Sequence, residues 1–186
     1  MEGVRDVFWK HGYAGTTVDQ LAAATGLHKP SLYGAFGDKR SLYLEALDRY
    51  IAEARILFGA ALLKPKLADS LDALALRAIE LFSRGGRGCF MMTTAVPEAG
   101  GDEEITAKVR SAMEELDSAL ASRFRQAIAT GELSQAADAS ALAMIVAANH
   151  YDLSARARAG YSADELRTLA DRTLDVVWQL GGRQAS

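Results

Sequence analysis

The side chains of this sequence best suited to chemistry on an external partner lie between positions 28 and 34. Lys29, Ser31 and Tyr33 supply an ammonium group, a hydroxyl and a phenol. Leu32 and Phe36 share one side of a helix at this spacing, which leaves the polar groups on the outer side. Cationic and hydroxyl donors arranged in this way suit the phosphates and base edges of a nucleic acid.

Cys89 and His150 are a second pair that could do chemistry, as nucleophile and general base. A helical enzyme that uses them is the alternative from a different functional class. No third residue that would orient the histidine is evident, and the sequence contains no glycine-rich loop of the phosphate-binding kind. Because an isolated pair of this type is a weak signal, we predict that the chain is not an enzyme.

Two short helices must position the outward groups. Thr17 and Gln20 form a capping box, so a helix begins at Thr17. Gly26 ends it, because glycine adopts the left-handed conformation of a tight helix exit. Pro30 suits the first turn of a second helix, which we predict over residues 30–36. A helix, a glycine turn and a short second helix at this spacing are typical of segments that enter the DNA major groove.

Further residues between positions 7 and 47 complete a specific pattern: Phe8, Gly12, Tyr13, Thr16, Thr17, Leu21, Ala22, Gly26, Leu27, Lys29, Ser31, Leu32, Tyr33, Phe36, Asp38, Lys39 and Leu42. With these residues the segment resembles the TetR/AcrR family of one-component bacterial transcriptional regulators. The resemblance implies a three-helix N-terminal DNA-binding domain and a fourth helix that links it to a helical domain for ligand binding and dimerisation. It also implies repression that a small molecule relieves.

The resemblance also implies roles for individual residues. Thr17 and Tyr33 would contact phosphates, Lys39 would anchor the DNA backbone, and Lys29, Pro30 and Ser31 would approach bases. Two positions depart from the family, which has a small residue in place of His28 and an aromatic residue or histidine in place of Gly34. We hypothesise that Gly34 lets the backbone approach a phosphate closely. The predicted DNA-binding set is Thr17, His28, Lys29, Pro30, Ser31, Tyr33, Gly34 and Lys39, with Arg40 as a further cation near phosphates.

The remainder of the sequence predicts helices only, since no segment alternates in the way of a strand. Amphipathic stripes predict long helices over about 38–59, from after 66 to about 84, over 102–130 and over 138–159. A small helix is expected near residues 90–99, and Ser162 with Glu165 caps a ninth helix. We therefore predict an all-α protein of about nine helices, with a helix-turn-helix DNA-binding domain at 1–47 and an effector-binding and dimerisation domain at 48–186.

The last two long helices carry more apolar surface than an isolated surface helix requires. The family resemblance implies a homodimer in which these helices form a four-helix bundle around a two-fold axis. Packing within a monomer is the alternative. A dimer would place two recognition helices about 34 Å apart on a near-palindromic operator. The predicted interface residues are Ala143, Val146, Ala147, His150, Leu166, Ala170, Leu174 and Val177.

Bulky and soft side chains on the central helices predict a pocket for a mainly apolar effector. Asn149, His150 and Asp152 are polar groups that could orient it, although His150 could instead face a partner or lie satisfied in the core. Cys89 lies in a stretch that resembles a TetR subgroup with electrophile-responsive cysteines, so redox or electrophile sensing is an alternative to a buried packing thiol. The predicted pocket residues are Phe82, Phe90, Met92, Met113, Leu116, Phe124 and Tyr151.

Composition sets limits on these interpretations. The net charge is −3, so bulk charge does not argue for nucleic acid, and 49% hydrophobic residues suffice for a buried core. No apolar run could span a bilayer and no signal peptide is evident, which favours a cytoplasmic protein with no membrane partner. One cysteine and the lack of zinc-ligand spacing indicate no disulfide, metal or cofactor. Because family members have a longer first helix, an upstream start is possible.

Overall fold

A computed structural model describes residues 1–182, apart from the side chain of Tyr33, and in that part of the chain it contains helices and no strand. The prediction of an all-α fold is confirmed. One π-helical turn, Met91–Ala95, runs directly into the sixth helix. The helices are α1 Glu2–Gly15, α2 Val18–Thr25, α3 Lys29–Phe36, α4 Lys39–Leu62, α5 Leu67–Ser83, α6 Val96–Ala99, α7 Glu103–Ala129, α8 Ala139–Arg158 and α9 Ala163–Gly181.

Local signals set the bounds of α2. The Gln20 amide donates to the Thr17 hydroxyl over 3.3 Å, and the Thr17 amide donates to the Gln20 side chain over 2.8 Å. The predicted capping box is therefore present, with Thr17 as the cap and Val18 as the first helical residue. Gly26 has φ of 67°, a left-handed conformation in which other residues are strained. This glycine lets the chain turn sharply from α2 into α3.

Capping also begins the later helices where the sequence predicts. The Ser41 amide donates to the Asp38 carboxylate over 2.7 Å, and this hydrogen bonding lowers the pKa of Asp38. Ser162 and Glu165 form the second capping box, at the start of α9. The predicted small helix near residues 90–99 is a π-helical turn followed by four α-helical residues. Pro97 lies at this junction and cannot donate an amide to the preceding turn.

The chain forms two compact units, and each is assembled from two stretches of sequence. The first unit comprises Met1–Glu53 and Phe90–Arg110, and the second comprises Ala54–Cys89 and, among the described residues, 111–182. The single boundary predicted after residue 47 does not coincide with this division. Charged contacts hold the inserted stretch in the first unit, since Lys108 pairs with Asp48 over 2.7 Å.

Aromatic side chains form the core of the first unit. Phe8, Tyr43 and Phe90 are fully buried. The Phe90 ring lies 5.5 Å from the rings of both Trp9 and Tyr50, at angles favourable for aromatic pairs. Phe90, predicted to line a ligand pocket, is therefore a core residue of the first unit, where it joins the inserted stretch to α1 and α4.

Helices α5, α8 and α9 pack against one another in the second unit. A buried cation lies beside this core: Arg123 on α7 is only 5% exposed and donates to the Ser70 hydroxyl over 3.2 Å and to the Pro65 carbonyl over 3.3 Å. Glu132 lies 3.4 Å from its guanidinium group and also accepts from the Leu67 amide. This network closes the turn between α4 and α5. The sequence analysis missed it because its members are far apart along the chain.

Among the described helices, none combines the length and the apolar character needed to cross a lipid bilayer.

Candidate nucleic-acid interface

Helix α3 exposes the side that the sequence predicts to be polar. Leu32 is fully buried and anchors the helix to the first unit. His28, Lys29, Pro30 and Ser31 are all exposed. The predicted base-approaching residues therefore share the exposed N-terminal end of α3, where they are accessible to an external partner. The side chain of Tyr33, a predicted phosphate contact, lies outside the described part of the structure.

The N-terminus of α2 provides a second group of donors. The first amides of a helix have no intrahelical acceptor and, with the helix dipole, favour an anion. The exposed Thr17 hydroxyl lies at this end, where it donates to the Gln20 side-chain oxygen over 3.2 Å and accepts from the Gln20 amide over 3.3 Å. A phosphate near Thr17 would thus meet backbone amides as well as a hydroxyl. This geometry agrees with the role predicted for Thr17.

Lys39 lies close to the same helix end. Its ammonium donates to the Thr16 carbonyl over 3.0 Å and lies 4.5 Å from the centre of the Tyr13 ring. Partial burial and the nearby Asp38 carboxylate raise the pKa of Tyr13, which keeps the phenol neutral. Lys39 is the first residue of α4, and its side chain therefore connects the start of α4 to the turn between α1 and α2. A cation in this place lies beside the predicted phosphate contact at Thr17.

Arg40 does not take the place expected for it. Its guanidinium group makes two hydrogen bonds to Asp102, of 2.6 and 2.9 Å, and a third to Glu104 of 2.9 Å. The Arg40 hydrogen bonds and then the Ile105 amide lower the pKa of Asp102 to about 2, so the carboxylate stays ionised. Arg40 fastens α4 to the inserted stretch through its Nε atom and one terminal nitrogen. Arg40 and Asp102 are 62 residues apart in sequence, so no pattern around either residue predicts that they pair.

Lys29 also has an internal partner on this surface. Its ammonium lies 2.6 Å from the Asp19 carboxylate, and the two side chains are 50% and 77% exposed. Asp19 belongs to the first turn of α2, where a negative charge interacts favourably with the helix dipole. The pair connects the starts of α2 and α3, the two helix ends that carry the predicted DNA contacts.

Gly34 has no internal reason to be glycine. A Cβ atom built on it would meet nothing within 4 Å, and its φ is not in the left-handed region. The absence of a side chain therefore serves neither packing nor backbone conformation in the described part of the chain. The hypothesis that it serves the approach of a phosphate stays a prediction.

The predicted ligand-pocket residues are divided between the two units. Phe90 and Met92 belong to the first unit, whereas Phe82 and Phe124 are fully buried in the second. Met113, Leu116 and Tyr151 are partly exposed in the second unit. One cavity of the second unit instead lies between α5, α8 and α9. Its lining residues are Leu71, Leu74, Ala75, Ala78, Val146, Asn149, His150, Leu153, Ala170, Thr173 and Leu174.

His150 is the titratable group of this cavity. It is 6% exposed, and its ring lies 4.8 Å from that of Phe58 and 5.1 Å from that of Phe82. Burial lowers the pKa of His150 to about 4, so the imidazole is neutral at physiological pH. A neutral imidazole can both donate and accept a hydrogen bond in an otherwise apolar setting.

The predicted dimer-interface residues face the interior of the chain. Seven of them are buried within a single protomer, namely Ala143, Val146, Ala147, His150, Leu166, Ala170 and Val177, and Leu174 is half-buried. The same protomer already covers these side chains, and their place at a dimer interface stays a prediction. Large apolar side chains are exposed elsewhere on these helices: Met144 on α8 at 67%, and Leu180 on α9 at 60%.

Cys89 and His150 are the remaining candidate groups. Cys89 is buried, and its amide donates to the Ser154 hydroxyl over 2.8 Å. His150 packs on Phe58 and Phe82. Over residues 1–182 no three His, Cys, Asp or Glu side chains come together in a way that could hold a metal ion.

Comparisons with known proteins agree with this geometry. A family model described as bacterial regulatory proteins, tetR family, matches residues 1–46, and one described as tetracyclin repressor-like, C-terminal domain, matches residues 68–172. The HTH-type transcriptional repressor ComR of Escherichia coli (strain K12) is 34% identical over 179 residues, which cover 90% of this chain and 82% of ComR. An uncharacterised HTH-type regulator of Bacillus subtilis (strain 168), YezE, is 26% identical over 92% of this chain and 91% of its own.

Solved structures show the same architecture. A cysteine mutant of the TetR family regulator CifR, in complex with 26 bp double-strand operator DNA, has a TM-score of 0.78 at 27% identity and covers 92% of this chain and 91% of its own. A TetR regulator from Chloroflexus aurantiacus has a TM-score of 0.82 at 25% identity, with 98% and 93% covered.

Proposed function

This chain belongs to the tetR family of bacterial regulatory proteins, and from that premise we propose that it binds operator DNA as a homodimeric repressor that a small, mainly apolar ligand releases. The observation that carries the proposal is the exposed N-terminal end of α3 beside the N-terminus of α2. A similar regulator binds operator DNA in a solved complex. The proposed location of the protein is the cytoplasm, where its DNA would be.

Two classes of contact are proposed for the DNA. Thr17, Tyr33 and Lys39 bind phosphates and so set the position of the protein on the duplex. Lys29, Pro30 and Ser31 approach base edges in the major groove, with His28 at the entrance of α3. Phosphate contacts contribute affinity for any sequence, whereas contacts to base edges discriminate between sequences. The exposure of His28, Lys29 and Ser31 supports this division.

The dimer is proposed to form through the exposed apolar side chains of α8 and α9. Met144, Val176 and Leu180 are 67%, 45% and 60% exposed, which is unusual for side chains of this size. α8 and α9 are joined by a short turn, and Met144 and Val176 lie at similar distances from it along their helices. A two-fold axis would bring this apolar surface onto its own copy, as in an isologous interface.

The effector is proposed to bind between α5, α8 and α9, where the cavity of about 20 Å³ has room for about one water molecule, so the three helices must separate to admit a ligand. Leucine, valine and alanine side chains surround the cavity, and Asn149, His150 and Thr173 supply polar groups. This lining suits an apolar molecule with a single hydrogen-bonding group. A ligand that binds better to a conformation unfit for the operator lowers the population of the DNA-competent state. This proposal replaces the pocket residues that the sequence analysis selected.

Selection of bound sequences from a random duplex pool tests the DNA-binding proposal. The purified protein should enrich an inverted repeat whose half-sites lie about 10 base pairs apart, because two recognition helices must enter successive major grooves. Enrichment of a single half-site would contradict the dimer while leaving DNA recognition in place. A folded protein that enriches no duplex would contradict the proposed function.

A further inference from the structure

The recognition surface carries an acidic side chain to which the proposed function gives no role. Asp19 lies in the first turn of α2, two residues from Thr17, and is 77% exposed. Its carboxylate lies 2.6 Å from the ammonium of Lys29, the first residue of α3. A negative charge in this position is unfavourable next to DNA, because phosphates repel it whatever the base sequence.

The same carboxylate competes with DNA for Lys29. A lysine ammonium is a point charge on a flexible stem, and near a duplex it can pair with any phosphate in reach. Such a contact adds affinity but carries no sequence information. Pairing with Asp19 instead restricts the ammonium to the space between the starts of α2 and α3. From this position the Lys29 ammonium can reach a hydrogen-bond acceptor of a base only if that acceptor lies at one place in the groove.

We propose that Asp19 determines sequence specificity by holding Lys29 toward a base edge and away from the phosphates. The base that fits is guanine, whose O6 and N7 atoms accept hydrogen bonds from a cation in the major groove. Asp19 lowers affinity for all duplexes, and it lowers affinity for non-operator DNA more than for the operator. It is a positioning residue that acts through Lys29. The inference rests on the proposed function, because it requires that α3 meets DNA.

The test compares Asp19→Asn with the unaltered protein in duplex selection and in binding to the selected operator and to an unrelated duplex. Asparagine keeps the shape and removes the charge. Affinity for the unrelated duplex should rise about two- to fivefold, the range that an exposed charge pair supplies. Affinity for the operator should rise less, so that the specificity ratio falls. One base position in each half-site should lose its preference for guanine.

A double-variant cycle separates positioning from simple charge removal. Lys29→Ala should lose the guanine preference at the same position, and Asp19→Asn together with Lys29→Ala should show no further loss. Asp48→Asn is the matched control. Asp48 is also an exposed acid paired with a lysine, Lys108, but Asp48 lies on α4, away from the starts of α2 and α3. The substitution should leave both the base preference and the specificity ratio unchanged.

Three results would overturn the inference. The first is an unchanged guanine preference in Asp19→Asn, and the second is a further loss of preference when that change is added to Lys29→Ala. The third is an equal gain in affinity from Asp48→Asn, which would show an effect of net charge. Failure of the proposed function would look different, because the unaltered protein would then select no duplex at all. Thermal unfolding of each variant verifies that the comparison is between folded proteins.

Discussion

The α2–α3 segment and the α8–α9 hairpin are both two helices joined by a short turn, but they expose opposite kinds of side chain. The outer side of α2–α3 presents Asp19, Lys29 and Ser31, whereas the outer side of α8–α9 presents Met144 and Leu180. A polar surface with hydroxyls and an ammonium suits a hydrated polyanion, and a surface of large apolar side chains suits a second apolar surface. The difference supports the two proposed partners, DNA for α2–α3 and a second copy of the chain for α8–α9.

The α2–α3 segment and the α8–α9 hairpin also differ in how they are packed against the rest of their units. α3 rests on the first unit through Leu32, whereas Lys29, Pro30 and Ser31, which are proposed to approach bases, are exposed. α8 and α9 pack on α5 and on each other, and the buried Arg123 pairs with Glu132 at the turn between α4 and α5. Substitutions in the second unit should therefore change stability most, and substitutions on α3 should change binding with little loss of stability. Five experiments test this contrast.

Arg123→Met should have the largest effect. The change leaves the Glu132 carboxylate without its cation and removes a donor from the Pro65 carbonyl. Because Glu132 is 28% exposed and water can reach it, we expect the free energy of unfolding to fall by about 3 kcal/mol, the upper end of the cost of unsatisfied polar groups, measured by urea denaturation. Arg125→Met, an exposed site on the same helix, is the control and should change stability little. A loss of the same size in both variants would contradict the role of the network.

His150 should make the stability of the second unit depend on pH. Its pKa is lowered by burial to about 4, below its ordinary value of 6.5, so the unfolded chain binds a proton in this interval and the folded one does not. Stability should fall as the pH falls from about 6.5 to 4, by a total of about 3 kcal/mol. His150→Leu should remove this part of the pH dependence, whereas His11→Leu on the exposed surface of α1 should keep it. The same slope in all three proteins would count against the burial of His150.

Leu180→Glu should separate the dimer. A carboxylate in the centre of an apolar interface has no partner, so the protein should sediment as a monomer. Operator affinity should then fall on the order of 100-fold, because each recognition helix binds alone. Unfolding free energy of the protomer should hardly change, since Leu180 is exposed in one chain. Leu76→Glu on α5, another exposed leucine, is the control. A dimer that persists in Leu180→Glu would place the interface elsewhere.

Lys39→Ala and Lys29→Ala should have different effects on DNA binding, because Lys39 is proposed to bind a phosphate and Lys29 a base. Lys39→Ala should weaken binding to every duplex about tenfold and reduce the slope of log affinity against log salt by about one. Lys29→Ala should change the preference at particular base positions. Lys10→Ala, an exposed lysine on α1, is the control for loss of charge. Identical behaviour of the Lys39 and Lys29 variants would refute the division.

Gly34→Ala should have the smallest effect, and it should raise stability while lowering operator affinity. The methyl group meets open space, so the helix should gain about 1 kcal/mol of stability from propensity. Operator affinity should nevertheless fall a fewfold, about the loss of one hydrogen bond, if the backbone approaches a phosphate here. Gly59→Ala on α4, also in open space, should gain stability without any loss of affinity. Equal affinity of Gly34→Ala and the unaltered protein would end the hypothesis.

Local signals allowed much of the fold to be predicted. Thr17 with Gln20, Gly26 and Asp38 lie within a few residues of the atoms they bind, so their effect on helix ends can be read without knowing the rest of the chain. The exposed side of α3 follows from helical spacing in the same way. The partners of buried side chains in the second unit could not be predicted in this way. An apolar stripe on α8 predicts burial, but it does not say whether α5 of the same chain or a second copy provides the cover.

The sequence by itself determined the helices, their caps and the family, because hydrogen bonds and side-chain periodicity act over one or two turns and family motifs are contiguous. Only the tertiary structure decided that Arg40 binds Asp102, that Phe90 belongs to the aromatic core of the first unit, and that Lys29 pairs with Asp19. These contacts join residues that are distant in sequence. Their partners are chosen by packing and charge in the folded chain, and no spacing along the sequence encodes that choice.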